Sequence, residues 1–329
     1  MPIVSPSDSS HVLARARQVL ALEADAIQKL SERLNDTFIR AVSMILASHG
    51  RAIVTGIGKS GHIARKIAAT LASTGTPAFF VHPSEAGHGD LGMITAEDIV
   101  IALSYSGETD ELVALIPHLK REGVAIIALT GKLNSSLAKA ADVALDVSVS
   151  AEAGAFGLAP TTSTTTTLAL GDALALALAE LRGFSEQDFA KSHPGGSLGR
   201  RLLTRVSDVM RQGDALPKVR ASHTLSEALV EISGKGMGMT AVLDDHEQVI
   251  GIFTDGDLRR CLEKNAALST PVIELMHPNP RVISPDALAA DAVLVMETPP
   301  KITQLLVVDE HHTLIGALHL HDLFRARIV

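Results

Sequence analysis

A glycine-rich loop, Gly56 to Gly61 (GIGKSG), and a hydroxyl-rich loop, Ser104 to Thr109 (SYSGET), each follow a β-branched apolar run and precede a helix-like stretch. Loops so placed gather an anion, because backbone N–H groups and the positive end of a helix dipole both point at it. Ser104, Ser106 and Thr109 add three hydroxyls at spacings that let one phosphate collect several hydrogen bonds. The chemistry this equips is the handling of a small phosphorylated molecule. Gly56, Gly58 and Gly61 also satisfy the dinucleotide pattern GxGxxG. That reading needs an acid at the end of the next strand for a ribose. The run Ala78 to Val81 instead ends in His82-Pro83-Ser84, and Lys59 stands inside the loop. A nucleotide P-loop would need glycine where Ile53 sits. A turn that merely packs helix on strand explains one such loop well and two on one sheet poorly.

The elements that must hold these loops are read from periodicity. Helical periodicity runs from about residue 8 to 48, and strand-like runs follow at 52–55, 78–81, 98–103, 124–129 and 143–149. They alternate with helical stretches at 61–73, 109–121, 134–141 and 164–182. Short buried strands alternating with helices predict an α/β, doubly wound parallel sheet, with ligands outside the carboxyl ends of the strands. Past residue 205 the chain becomes a repeat. Val206–Met210 and Gly251–Arg259 are echoed about 65 residues later by Val272–Met276 and Gly316–Phe324. Each copy reads as helix, strand, charged turn, strand and closing helix, and two copies should pack face to face because one alone buries too little.

Composition narrows the function classes. A formal net charge of -8, one Tyr and no Trp argue against a nucleic-acid partner, which needs basic stripes or stacking platforms. One cysteine, Cys261, excludes an internal disulfide framework and suits a reducing compartment. Charged residues from Asp8 onward leave no apolar signal core, and Gly171, Asp172 and Glu180 interrupt the stretch from Leu168 to Leu181. No membrane segment is therefore expected, and the location is read as cytoplasmic.

The strings GIGKSGHIARK, HPSEAGHGDLGM, LSYSGETDE, APTTSTTTTLALGDALA and HPGGSLGRRL resemble those of arabinose 5-phosphate isomerases. The first part of the chain is similar to a sugar isomerase (SIS) domain, flavodoxin-like in fold, and the repeat to a C-terminal α+β tandem pair of cystathionine-β-synthase (CBS) domains. The resemblance implies domains at 1–204, 205–267 and 268–329. It implies an enediol interconversion of D-ribulose 5-phosphate and D-arabinose 5-phosphate, feeding the lipopolysaccharide sugar Kdo, in a homotetramer without a cofactor. Two rivals are an isomerase of another phosphosugar and a non-catalytic phosphosugar sensor.

Such a reaction needs a base to move a proton between C1 and C2, groups that manage charge on the oxygens, and a means of opening the aldose ring. The resemblance assigns Glu152 as the base, with partial burial expected to raise its pKa, and His193 to ring opening, delivered from a neighbouring subunit. Lys59 neutralises the phosphate or the enediolate oxygen, and Glu111 joins the functional set. Gly58, Ser60, His88, Ser104, Ser106 and Thr109 bind substrate. His82, Glu85 and His88 have the spacing HxxExxH in a segment read as a loop, so no metal is expected to be required; His88 and His193 could bind inhibitory zinc. The threonine run Thr161 to Thr167 reads as caps and back-bonds for a helix after Pro160, with one or two hydroxyls touching the sugar. In the CBS pair, Thr254 and Asp257 match a nucleotide or CMP-sugar site, and His319 before Asp322 departs from it.

Overall fold

A computed structural model describes residues 6–154 and 156–329 of the chain; residues 1–5, the start of the expected first domain, lie outside the described residues. The chain divides into two compact units between Phe189 and Ala190.

The first unit opens with α1 (Pro6–Glu32) and α2 (Asp36–Ala47), and continues through β1 (Ala52–Gly56), α3 (Gly58–Ser73), β2 (Ala78–Val81) and α4 (Pro83–Gly87). It then runs through β3 (Ile99–Leu103), α5 (Asp110–Val113), α6 (Ile116–Arg121), β4 (Ala125–Thr130), α7 (Ser136–Ala140), β5 (Val143–Asp146) and α8 (Thr162–Leu181). The five strands are parallel, in the order β2-β1-β3-β4-β5. Alternate residues of one strand serve opposite faces. Ile99, Ile101 and Leu103 of β3 join a core with α1, α2, α3 and α8, while Val100 and Ala102 join one with α4, α5, α6 and α7. Burial on both faces is why these strands read as uninterrupted apolar runs.

Two helical stretches expected to be continuous are broken, each for a local reason. The first splits at Asn35, whose side chain accepts from Thr37 N and caps α2. The stretch after β3 splits into α5 and α6, with Pro117 in the first turn of α6, where its missing N–H costs nothing. The segment after β2, expected as a loop, forms the single turn α4, because Pro83 stands at its start and His82 accepts from Ser84 N. Helix α8 meets the length and composition of a membrane span, contrary to the expectation of too short and polar a stretch. Its residues Leu170, Leu174, Ala175 and Leu178 are buried against the sheet, which is what a central core helix does with such a sequence.

Helix α9 (Glu186–Ser192) contains the boundary, and α10 (Ser197–Leu203) and α11 (Val206–Val209) follow. The first repeat comprises β6 (Lys218–Arg220), α12 (Leu225–Lys235), β7 (Met239–Leu243), β8 (Val249–Thr254) and α13 (Asp255–Glu263). The second comprises β9 (His277–Pro278), β10 (Val282–Ile283), α14 (Ala289–Glu297), β11 (Gln304–Val308), β12 (Leu314–His319) and α15 (Leu320–Arg325). The two sheets, β6-β7-β8-β9 and β10-β11-β12, share one core in which Met239, Ala241 and Leu243 meet Leu306, Val308 and Ala317. The copies are also interleaved. Val206 N donates to Ala287 O and Arg211 N to Ala317 O, so the leader of the first copy belongs to the second. Val272 N donates to His223 O and Leu225 N to Thr270 O, which returns the exchange.

Candidate active site

The parallel order places β1 beside β3 at the point where successive crossovers turn in opposite directions, from β1 toward β2 and from β3 toward β4. A crevice opens at such a switch point at the carboxyl edge of the sheet. The first loop leaves β1 there and the second leaves β3 there. Close approach of α3 to β1 depends on Gly61, where a Cβ would stand 2.7 Å from Gly56 O.

A cleft of about 260 Å³ lies at this edge, lined by Ile57, Lys59, Ser60, Ile63, Tyr105, Glu152, Pro160, Ser163, Thr164 and Thr167. Three expected residues, Lys59, Ser60 and Glu152, therefore share one cavity, whose volume suits a small metabolite better than a drug-sized ligand. Lys59 and Ser60 sit in the first turn of α3 just after Gly58, and Lys59 is exposed.

Glu152 is held at the amino end of α8. Its Oε2 accepts from Thr161 N at 2.9 Å, Ser163 N at 3.2 Å and Thr161 Oγ1 at 3.3 Å. Burial pushes its pKa up, and the hydrogen bonds from Ser163 and Thr161 together outweigh it, so the carboxyl lies below its ordinary value of 4.5. This corrects the expectation of a raised pKa: the group is a pre-ionised carboxylate oriented by amides and a helix dipole. Its partners come from the threonine run, in which three other hydroxyls back-bond while Thr162 Oγ1 is buried without a partner. Thr164 donates to Thr161 O, Thr166 to Thr162 O and Thr167 to Ser163 O. Ser163, Thr164 and Thr167 nevertheless line the cleft, an involvement that back-bonding alone does not reveal.

The second loop forms a hydroxyl cluster. Ser104 Oγ is buried, 2.8 Å from Thr109 Oγ1 and 3.5 Å from Ser106 Oγ, and accepts from Gly107 N at 3.0 Å. Gly107 has φ +68°, and a Cβ there would meet Ser135 Oγ at 2.0 Å. Tyr105, inside this loop, lines the cleft; sequence reasoning passed over it, although it is the one tyrosine of the chain.

The other expected residues stand apart. Glu111 is exposed in α5, and His88 is exposed as the C-cap of α4; neither lines the cleft. His193 lies in the second unit, half-buried between α9 and α10, where its carbonyl accepts from Gly196 N. Among the described residues no group of three or more His, Cys, Asp or Glu side chains is gathered as a metal site. Thr254 caps α13: its Oγ1 is bonded to Asp257 Oδ2 at 2.6 Å, and Asp257 is paired with Arg260. In the second copy Asp322 is gripped by Arg211 through Nε at 3.0 Å and Nη2 at 3.2 Å. Burial and the neighbouring His321 lower the pKa of His319.

The SIS domain family matches residues 45–177, and the CBS domain family matches 206–264 and 272–329. Arabinose 5-phosphate isomerase KdsD of Pseudomonas aeruginosa is 53% identical over 315 residues, covering 95% of this chain and 96% of its own. Arabinose 5-phosphate isomerase GutQ of Salmonella typhimurium is 52% identical over 322 residues, covering 98% and 100%. Among solved structures, Escherichia coli CFT073 c3406, in complex with arabinose 5-phosphate, is 42% identical with a TM-score of 0.55, covering 58% of this chain and 100% of that one.

Proposed function

We infer the reaction from one premise: the chain belongs to the arabinose 5-phosphate isomerases, SIS-domain enzymes carrying a tandem CBS pair. It is an aldose-ketose isomerase that interconverts D-arabinose 5-phosphate and D-ribulose 5-phosphate through an enediol. The observation that carries the chemistry is the Glu152 carboxylate, fixed through Oε2 in the same cleft as Lys59 and Ser60.

From the open-chain aldose, Glu152 takes the proton on C2 through Oε1, and the C2 electron pair moves into the C1 carbonyl. The enediolate forms at O1, where a cation stabilises it. The same carboxylic acid returns its proton to C1 while the O2 proton passes to O1 and O2 becomes the ketose carbonyl. One group serves both steps because a carboxylate over one face of the planar enediol reaches both carbons. The Ser104, Ser106 and Thr109 cluster, with Ser60 and the backbone after Gly58, holds the phosphate. Lys59, the cation that lines the cleft, neutralises the phosphate or the enediolate oxygen. Lys59→Met is therefore expected to lower kcat/KM about a hundredfold, with the charge-preserving Lys59→Arg recovering only part because its fork does not match a point contact. A steady-state assay of both variants checks this.

The lowered pKa of Glu152 has a consequence for pH. The acid limb that belongs to Glu152 lies below its ordinary value of 4.5, apart from any limb at about pH 6 set by a histidine or by the substrate phosphate. The same hydrogen bonds stabilise the fold while the carboxylate is ionised, above its unfolded value, and that contribution is lost as pH falls through the lower folded value. Glu152→Gln should flatten the dependence of melting temperature on pH in that window.

His193 is kept for ring opening from a neighbouring subunit, and Glu111 and His88 complete the site in that assembly. Mixed oligomers of two inactive variants, one in Glu152 and one in His193, regain activity on this reading. The family relationship supports a homotetramer, a cytoplasmic location, a supply of precursor to Kdo and the division at 1–204, 205–267 and 268–329. At the CBS pair, Thr254 and Asp257 are kept as the site for a nucleotide or CMP-sugar, and His319 in the place of Thr254 favours one site per chain over two. A substrate profile across aldose and ketose phosphates tests the reading: turnover confined to the pentose pair supports it, and saturable binding without turnover favours a sensor.

A further inference from the structure

The segment that carries Glu152 leaves the sheet after β5, and its far end is held at α8 by the Glu152 carboxylate and by Ala153 N, which donates to Thr161 Oγ1 at 2.9 Å. Val147 N donates to Thr130 O at 3.0 Å, and Arg33 Nη2 donates to Ser148 O at 2.8 Å. Beyond Ser148, among the described residues, one hydrogen bond holds the backbone of 149–152: Val149 N donates to Tyr105 Oη at 3.2 Å. The other end of this strut is fixed independently of the side chain, since Tyr105 O accepts from Gly131 N at 3.0 Å and from Thr130 Oγ1 at 3.3 Å. The ring lies flat on Gly131, where a Cβ would stand 2.5 Å from Cε2 and 2.7 Å from Cζ. Tyr105 thus begins in the hydroxyl loop, forms part of the cleft wall and ends on the strand extension three residues before Glu152.

We propose that Tyr105 is a positioning residue for the isomerisation: its phenol ties the hydroxyl loop to the Val149–Glu152 segment and fixes where the Glu152 carboxylate stands over the sugar. The proposal rests on the assignment of Glu152 as the base. The phenol acts through Glu152 and needs no contact with substrate. Removing it leaves the Ser104, Ser106 and Thr109 hydroxyls and Lys59 in place, so phosphate binding is retained. What loosens is the carboxylate, and misplacement of a reacting group by about 1 Å costs on the order of tenfold to a hundredfold in rate. A looser segment also weakens the hydrogen bonds from Thr161 and Ser163 to Glu152, which returns its ionisation toward the ordinary range.

Four variants of this chain test the proposal with arabinose 5-phosphate as substrate. Tyr105→Phe keeps the ring and loses only the tether; kcat is expected to fall about tenfold, with KM and melting temperature unchanged and the acid limb of kcat moved to higher pH. Gly131→Ala, which pushes the ring from its seat, should reproduce the kinetic pattern, with a lower melting temperature from the overlap itself. In a Tyr105→Ala background Gly131→Ala should cost nothing further, because the two act on one strut. An unchanged kcat and acid limb in Tyr105→Phe would overturn the proposal. So would a loss in that variant that tracks melting temperature, or additive effects of the Gly131 and Tyr105 changes. Absence of turnover by the unmodified enzyme would refute the isomerase reading itself.

Discussion

Glu152→Gln is expected to lower kcat for arabinose 5-phosphate by about 10³-fold, the upper part of the range for loss of a general base. The glutamine keeps the shape of the carboxylate, and its carbonyl can still accept from Thr161 N and Ser163 N at the end of α8. The fold and the cleft should therefore persist, with KM little changed. What disappears is the ability to take a proton from carbon, which an amide cannot do. Loss of turnover in a correctly folded variant separates the chemical role of Glu152 from its capping role. An Ala substitution would not, because it also strips three hydrogen bonds from the amino end of α8. A Glu152→Gln enzyme retaining activity within tenfold of the parent would remove Glu152 as the base.

The second large effect is expected at Gly107. Its φ of +68° is a conformation that L side chains rarely adopt, and the position of a Cβ is already occupied by Ser135 Oγ at 2.0 Å and Ser135 Cβ at 2.4 Å. Gly107→Ala must therefore move either the hydroxyl loop or the cap of α7, which Ser135 provides through Ala138 N. The left-handed backbone and the overlap together predict a loss of about 2–4 kcal/mol in unfolding free energy. Displacement of the loop also pulls Gly107 N from Ser104 Oγ and disperses the Ser104, Ser106 and Thr109 cluster. KM for the sugar phosphate should then rise about tenfold or more, the equivalent of losing one charge-assisted hydrogen bond. Denaturant unfolding and steady-state kinetics on the same preparation check both halves.

Much of this architecture is legible in the chain because its strands are buried on both sides. Ile99 to Leu103 and Ala125 to Thr130 face one core with odd positions and the other with even ones, so the residues are apolar without a break. The loops at the ends of those strands are legible because glycines and hydroxyls cluster where helix ends point. The breaks at Asn35 and Pro117 follow from capping and proline chemistry that periodicity alone ignores. Other features depend on residues meeting across the fold. The ionisation of Glu152 is set by Thr161 and Ser163, whose N–H groups reach it only after the intervening loop has turned back. The role of Tyr105 depends on Val149, and the exchange of leaders between the CBS copies depends on Val206 and Val272 finding Ala287 and His223 of the other copy. A repeat period does not say which copy a leader joins.

The central claim is that Glu152 and its cleft move a proton between C1 and C2 of a pentose 5-phosphate. The most direct test is incubation of the purified, chelator-treated protein with D-arabinose 5-phosphate in deuterated water, followed by NMR. The account predicts D-ribulose 5-phosphate carrying deuterium at C1, formed by the parent and not by Glu152→Gln. Saturable binding of the sugar phosphate without ketose formation would contradict it.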